Sequence, residues 1–259
     1  MVLTVNIGNT MISIGVFKED RICFTAAIET RKRATSFEYA NSFLQLFSLF
    51  SIKTEDIEGT VLSSVVPVLT EPVKEAFRLI LKGKVLVVSA GVKTGLNIRG
   101  NRNVNLGSDL VCTAVGALRE QQMPCVIVSF GTATTFMALD KTGTLLGTSI
   151  AAGIQTSLEA LREKSARLPE IELDSSGELV GSDTAQSMKS GIFYGAACMC
   201  DGMCGRFAEY LGGDVTFVAT GKYAEKILPL CERNYVYDEH LLLKGLNHIY
   251  RRNRKLLQD

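Results

Sequence analysis

The opening of this chain is written a second time near its middle. Residues 2–29 read VLTVNIGNTMISIGVFKEDRICFTAAIE, with three β-rich runs at Val2–Ile7, Met11–Phe17 and Arg21–Ala27 parted by Gly8-Asn9-Thr10 and Lys18-Glu19-Asp20. Short apolar runs bounded by Gly, Asn and Asp are the signature of strands joined by tight turns. From Cys125 to Gly153 the rhythm returns as CVIVSFGTATTFMALDKTGTLLGTSIAAG, with strands expected at Cys125–Phe130, Thr134–Leu139 and Thr144–Ile150. Aligning Gly8 with Gly131 sets Asn6 opposite Ser129. The repeat spans half the chain, too long a period for a solenoid.

Each half continues with alternating helical and strand segments. The first predicts helices at Phe37–Phe50, Glu71–Leu81 and Leu110–Leu118 and strands at Thr60–Val65 and Lys84–Val88. The second predicts helices at Gln155–Arg162 and Thr184–Leu211, a strand at Val215–Ala219 and a helix from Tyr223. Such alternation points to an α/β chain with a mixed, largely parallel sheet in each half. The polar stretch Gln121-Gln122-Met123-Pro124 marks the expected boundary, giving halves at 1–122 and 123–259 with a ligand cleft expected between them.

Charge narrows the partners. Twenty-eight basic and 27 acidic residues leave a formal charge of +1, which supplies no broad basic field for nucleic acid or anionic lipid. The basic run Arg251–Lys255 reads as a solvated helix end. No stretch approaches the roughly 20 apolar residues needed to span a bilayer, and the first ten residues lack a signal-peptide pattern. Seven cysteines, an odd number without a small-secreted-domain pattern, lead us to expect a reducing cytoplasm. Cys198, Cys200 and Cys204 invite a metal reading, but no histidine lies close in sequence, and buried helical thiols are the simpler expectation. Gly191, Gly195, Gly202 and Gly205 on the same segment predict close helix packing, within the chain or across a dimer.

Three short segments carry the chemistry. Gly8-Asn9-Thr10 and Gly131-Thr132-Ala133-Thr134 are glycine turns after apolar strands, where backbone N–H groups can approach an anion and neutral side chains add donors. Neither a P-loop nor a dinucleotide fingerprint is present. Gly107-Ser108-Asp109 follows a polar loop beginning at Gly100 and precedes an apolar helical run. Asp109 there is open to two readings, a helix N-cap or a carboxylate that accepts a hydroxyl proton in phosphoryl transfer.

These segments resemble the type III pantothenate kinases of the actin-like ATPase superfamily. That family carries Asp-x-Gly-Asn-Thr, Gly-x-Asp-Arg and Asp-Phe-Gly-Thr-Ala-Thr-Thr motifs. This chain has Asn6-Ile7-Gly8-Asn9-Thr10, Gly107-Ser108-Asp109-Leu110 and Ser129-Phe130-Gly131-Thr132-Ala133-Thr134-Thr135. It is also similar at Ser63–Pro67, Thr94-Gly95-Leu96, Leu168-Pro169 and Gly181–Gly195, in family order to about Gly221. The resemblance implies a duplicated ribonuclease H-like, actin-like ATPase fold with two similar halves around a nucleotide cleft. It implies that Asn6, Gly8, Asn9, Thr10, Gly131 and Thr132 hold the phosphates of ATP with magnesium. Gly107, Ser108, Asp109 and Thr184 would bind pantothenate, with Asp109 as general base and Thr184 acting across a homodimer interface. Position 129 would hold a potassium or ammonium ion, and Asn6 a water-mediated magnesium.

Several family positions are changed. Asn6 and Ser129 stand where aspartates are expected, Leu110 where an arginine is, Gly100 for a tyrosine, Ala152 for a proline and Lys222 for a glycine. The leading expectation is ATP-dependent phosphorylation of pantothenate, the first step of coenzyme A synthesis. The alternative is a catalytically weakened paralogue that binds nucleotide or pantothenate and acts through a partner. A phosphohydrolase on the same fold is a third.

Overall fold

A computed structural model of the chain describes residues 1–100, 106–165 and 167–258; the expected loop residues Asn101, Arg102 and Asn103 lie outside the described residues. The chain divides into two compact units. Among the described residues no helix is long and apolar enough to cross a membrane.

The first unit is built on β1 (Val2–Ile7), β2 (Met11–Lys18), β3 (Arg21–Glu29), β4 (Gly59–Ser64) and β5 (Val85–Val87), in the order β3-β2-β1-β4-β5. The meander is antiparallel, and β4 then pairs parallel to β1, with β5 parallel to β4. Helices α1 (Ser36–Leu49) and α2 (Pro67–Ile80) cover one face, burying Phe43, Phe47, Leu69, Val73 and Phe77 against Val5, Ile7 and Ile14. Helix α1 starts where its chemistry directs: the Glu38 amide donates to Thr35 Oγ1 at 3.3 Å and the Thr35 amide to Glu38 Oε2 at 2.7 Å, a reciprocal cap.

Helix α3 (Ser108–Glu120) also belongs to this unit, and so does the last helix, α7 (Leu241–Gln258). The expected halves at 1–122 and 123–259 therefore differ from the observed division, in which residues 241–259 join the first unit and 97–99 the second. Glycines explain the placement of α7. A Cβ on Gly245 would sit 1.8 Å from the Cys112 carbonyl oxygen, and one on Gly116 would sit 2.2 Å from that of Leu241, so α3 and α7 touch backbone to backbone. Gly59 likewise makes room for Tyr250, whose hydroxyl would lie 2.1 Å from a Cβ there. The basic run is partly used inside the unit: Arg251 pairs with Asp20, and Arg254 Nη2 donates to Glu58 Oε2 at 2.8 Å.

The second unit repeats the plan. Strands β6 (Asn97–Ile98), β7 (Cys125–Phe130), β8 (Ala133–Leu139), β9 (Thr144–Ala152), β10 (Thr216–Thr220) and β11 (Val236–Tyr237) follow the order β11-β10-β7-β8-β9-β6. Removing the edge strand β6 leaves the β3-β2-β1-β4-β5 pattern, strand for strand and with the same parallel and antiparallel senses. Helices α4 (Ile154–Lys164) and α5 (Thr184–Leu211) bury Ile154, Leu158, Phe193, Ala197 and Cys200 against Val126, Val128 and Phe136. The helix expected from Tyr223 is only α6 (Ala224–Ile227), followed by a single 3-10 turn at Leu228–Leu230. Pro229 in that turn has no N–H to continue a helix. On α5 the glycines do not all serve internal packing: a Cβ at Gly191, Gly195 or Gly202 would meet nothing within 4 Å, and only Gly205 faces a neighbour, the Arg233 side chain.

Candidate active site

In the first unit three elements converge on β1. Asn6 lies across the ladder from Ser63 on β4 and from Ser13 on β2. Ser63 ends an apolar strand and is fully buried, its Oγ 2.8 Å from that of Ser108 at the start of α3. The Ser108 hydroxyl also accepts from the Ser64 amide at 3.2 Å and donates to the Ser64 carbonyl at 3.1 Å. This clasp fixes the first residue of α3 against the end of β4. The sequence singles out Ser63 and Ser64 without giving them a role; a polar pair closing an apolar strand is the signal it offers.

Asp109 follows. The N-cap reading does not hold, because α3 begins one residue earlier, at Ser108. The carboxylate instead folds over the helix's own first turn, where Oδ1 accepts from the Leu110 amide at 2.8 Å. Gly107 permits this, since a Cβ there would lie 2.5 Å from Asp109 Oδ1. Burial pushes the Asp109 carboxyl above its ordinary pKa, and its amide hydrogen bonds offset only part of that rise. Leu110, beside it, is half-buried and apolar.

The Gly8 turn is closed by the Gly8 amide donating to the Met11 carbonyl at 3.0 Å, with Asn9 and Thr10 exposed at its tip. A Cβ on Gly8 would press within 2.9 Å of that carbonyl. Thr30, just past β3, braces the turn: its Oγ1 donates to the Gly8 carbonyl at 2.7 Å and its amide to the Thr10 carbonyl at 2.9 Å. No sequence signal marks Thr30.

The second unit holds the counterpart turn. Gly131 donates to the Ala133 carbonyl at 3.1 Å, leaving only Thr132 between them, so this turn is a residue shorter than its partner. Its brace again comes from beyond the third strand of the meander: the Gly153 amide and Thr156 Oγ1 donate to the Thr132 carbonyl at 3.2 and 2.8 Å. Gly131 has an open side, since a Cβ there would come no nearer than 3.6 Å to a neighbouring atom. Ser129 is half-buried and faces Thr135 and Thr220 across the ladder. Thr184 occupies a different setting in this unit, exposed at the first position of α5 behind the Asp183 cap, whose Oδ1 accepts from the Gln186 amide at 2.8 Å. A cavity of about 240 Å³ borders α5, lined among others by Thr134, Ala152, Ile154, Gly191, Gly195 and Met199.

Two cations are expected, and the donor sets treat them differently. Asn6 Oδ1 is a buried acceptor with no hydrogen-bond partner, as an oxygen reserved for a hydrated magnesium would be. At the potassium or ammonium position Ser129 and its ladder neighbours Thr135 and Thr220 offer neutral hydroxyl oxygens where the family's motif carries a carboxylate, and Thr135 Oγ1 is likewise buried with no hydrogen-bond partner.

Solved structures share the whole-chain plan at low identity. A ROK hexokinase from Thermus thermophilus aligns with a TM-score of 0.53 and 11% identity over 98% of this chain and 99% of its own. The ethanolamine utilization protein EutJ from Carboxydothermus hydrogenoformans aligns at 0.54 and 13%, over 95% and 88%. At this identity the likeness establishes the actin-like ATPase fold alone. Sequence comparison goes further. A type III pantothenate kinase from Listeria innocua is 35% identical over 254 residues, 98% of each chain. One from an Exiguobacterium species is 36% identical over 255 residues, 98% of this chain and all of its own. Residues 2–206 match the sequence model of the type III pantothenate kinases, and with relatives this similar over nearly its full length the chain belongs to that family.

Proposed function

We propose that the chain is a kinase that phosphorylates pantothenate with ATP. The observation that carries this reading is the setting of Asp109, a half-buried carboxylate whose pKa is raised by burial and whose position is fixed through Ser108 to the end of β4. A base works best when its pKa approaches the working pH, so the elevation suits a group that accepts the acceptor alcohol's proton. The hydrogen bond from the Leu110 amide leaves carboxylate lone pairs for that proton. The braced turns at Gly8 and Gly131 offer backbone N–H groups and the side chains of Asn9, Thr10 and Thr132 to phosphate oxygens. Asn6 Oδ1 would hold a magnesium through water, and that ion when bound neutralises phosphate charge. Thr184 would contact the acceptor from a second copy of the chain in a homodimer. The open α5 face at Gly191, Gly195 and Gly202 leaves room for that copy.

An assay with ATP, magnesium and pantothenate, run with and without potassium or ammonium, tests the reading. Pantothenate-dependent ADP formation is expected. Phosphate release independent of pantothenate would replace this reading with a phosphohydrolase.

A second reading rests on Asn6 and Ser129. Both positions are neutral where the family's motifs carry carboxylates, and Leu110 offers no cation for the acceptor's carboxylate. The chain would then bind nucleotide or pantothenate and act through a partner. Calorimetric ATP binding without phosphate transfer is the result that would favour it.

A further inference from the structure

Away from the candidate site, three of the seven cysteines meet in the second unit. Cys200 and Cys204 lie one turn apart on α5 and are fully buried; Cys231 follows the 3-10 turn at Leu228–Leu230 and borders solvent. Cys200 and Cys204 belong to the buried core of this unit, and Cys231 packs against that core. Cys200 Sγ donates to Tyr235 Oη at 3.3 Å, and that hydroxyl donates to Asp201 Oδ1 at 3.0 Å. The Asp201 carboxylate explains why thiols distant in sequence meet. It accepts from the Glu232 amide at 2.7 Å and the Arg233 amide at 3.4 Å, pinning the segment just after Cys231 onto α5. Arg233 Nε donates to the Asp201 carbonyl at 3.2 Å and its guanidinium lies over the Phe217 ring, so the segment is held from both ends.

We propose that Cys200 and Cys231 form a dithiol that a small two-electron oxidant of the peroxide class converts to a disulfide. The pair spans two elements already in contact, whereas Cys200 and Cys204 share one helix, where side chains a turn apart are held side by side on a rigid backbone. Neighbouring thiols hold the Cys200 pKa below the ordinary thiol value, which favours its thiolate. Its thiolate attacks peroxide: an S–O bond forms, the O–O bond breaks, and hydroxide leaves with the thiol's proton as water. Cys231, losing its own proton, then attacks the sulfenic sulfur; the S–S bond forms, the S–O bond breaks and a second water departs. Two thiols lose two electrons and two protons, and peroxide is reduced to two waters.

The exposed Cys23 and Cys198 could join chains to one another, so the test uses the full chain carrying Cys23→Ser and Cys198→Ser. Seven cysteines less these two leave five thiols. Stoichiometric hydrogen peroxide should lower the titratable count from five to three, remove two hydrogen masses, and link the proteolytic fragments holding Cys200 and Cys231. Tm should rise by several degrees and return on adding dithiothreitol, because the bond closes the chain from 200 to 231. Adding Cys204→Ser should leave the linkage intact, and adding Cys231→Ser should abolish it. Five thiols persisting in the folded chain, or a bond mapped to any other pair, overturns the proposal. Mapping on the unsubstituted chain decides the matter if a serine variant fails to fold.

Discussion

At the scale of single residues, Asp109 separates activity from stability. Its charged form is disfavoured by burial, so its folded pKa exceeds its unfolded one. The sign follows: above the folded pKa the carboxylate costs stability, and that cost is relieved as pH falls through it. Asp109→Asn should therefore lower kcat by about 10²- to 10⁴-fold while leaving the urea midpoint unchanged or slightly higher. The acid limb of the wild-type kcat/KM profile should lie above the pH at which an ordinary aspartate titrates; a limb at the usual position would mean Asp109 is not the titrating base. A second residue-level prediction concerns charge. Asn6→Asp with Ser129→Asp restores two carboxylates at the phosphate turns and should raise kcat/KM at fixed magnesium, with potassium or ammonium becoming stimulatory only in the double variant. No gain would place the limit elsewhere, with Leu110 the next position to examine. Asp109 and both turns can be picked out from residues alone because their chemistry is local. Thr30 and Thr156 cannot, and Ser63 is marked without its role, because their partners lie far along the chain.

At the scale of elements, the glycines of the helices sort into two kinds that the sequence does not distinguish. Gly116 and Gly245 sit where α3 and α7 meet backbone to backbone. Gly245→Ala must force those helices apart and should cost about 2 kcal/mol or more in denaturant unfolding. Within one copy Gly191 and Gly195 face open space, so Ala at either should stabilise a lone copy by roughly 0.5–1 kcal/mol through helix propensity, and a loss of stability instead would point to a second copy packed on that face. If Gly195→Leu stays folded yet elutes as a smaller species than wild type in size-exclusion chromatography with light scattering, the α5 face is where copies meet. The strands are legible because turn residues bound their apolar runs, and the long helix α5 because no proline or turn cluster interrupts it. Helix α2 runs earlier than expected, from Pro67, because proline at the first turn starts a helix well; it continues through Pro72 although that residue has no N–H to donate to the Val68 carbonyl. The two-residue strands β6 and β11 carry too little pattern to be seen; each exists only because a neighbouring strand offers an edge.

At the scale of the whole molecule, duplication is the most readable property and the assignment of the last helix the least. The matching strand orders follow from two meanders written alike. Nothing in the composition of α7 says which sheet it covers; its glycine contacts with α3 and the seat of Tyr250 over Gly59 decide that. Deleting residues 241–259 should thus leave the first unit unable to bury β1 and β4, and amide exchange should show its protection lost before that of β7 and β10. The same arrangement sets an order of events during synthesis. Every residue of the second unit leaves the ribosome before α7 does, so the part of the protein that begins first is finished last. A nascent chain must carry an uncovered sheet until α7 emerges, and a chaperone that shields β1 and β4 would act in that interval.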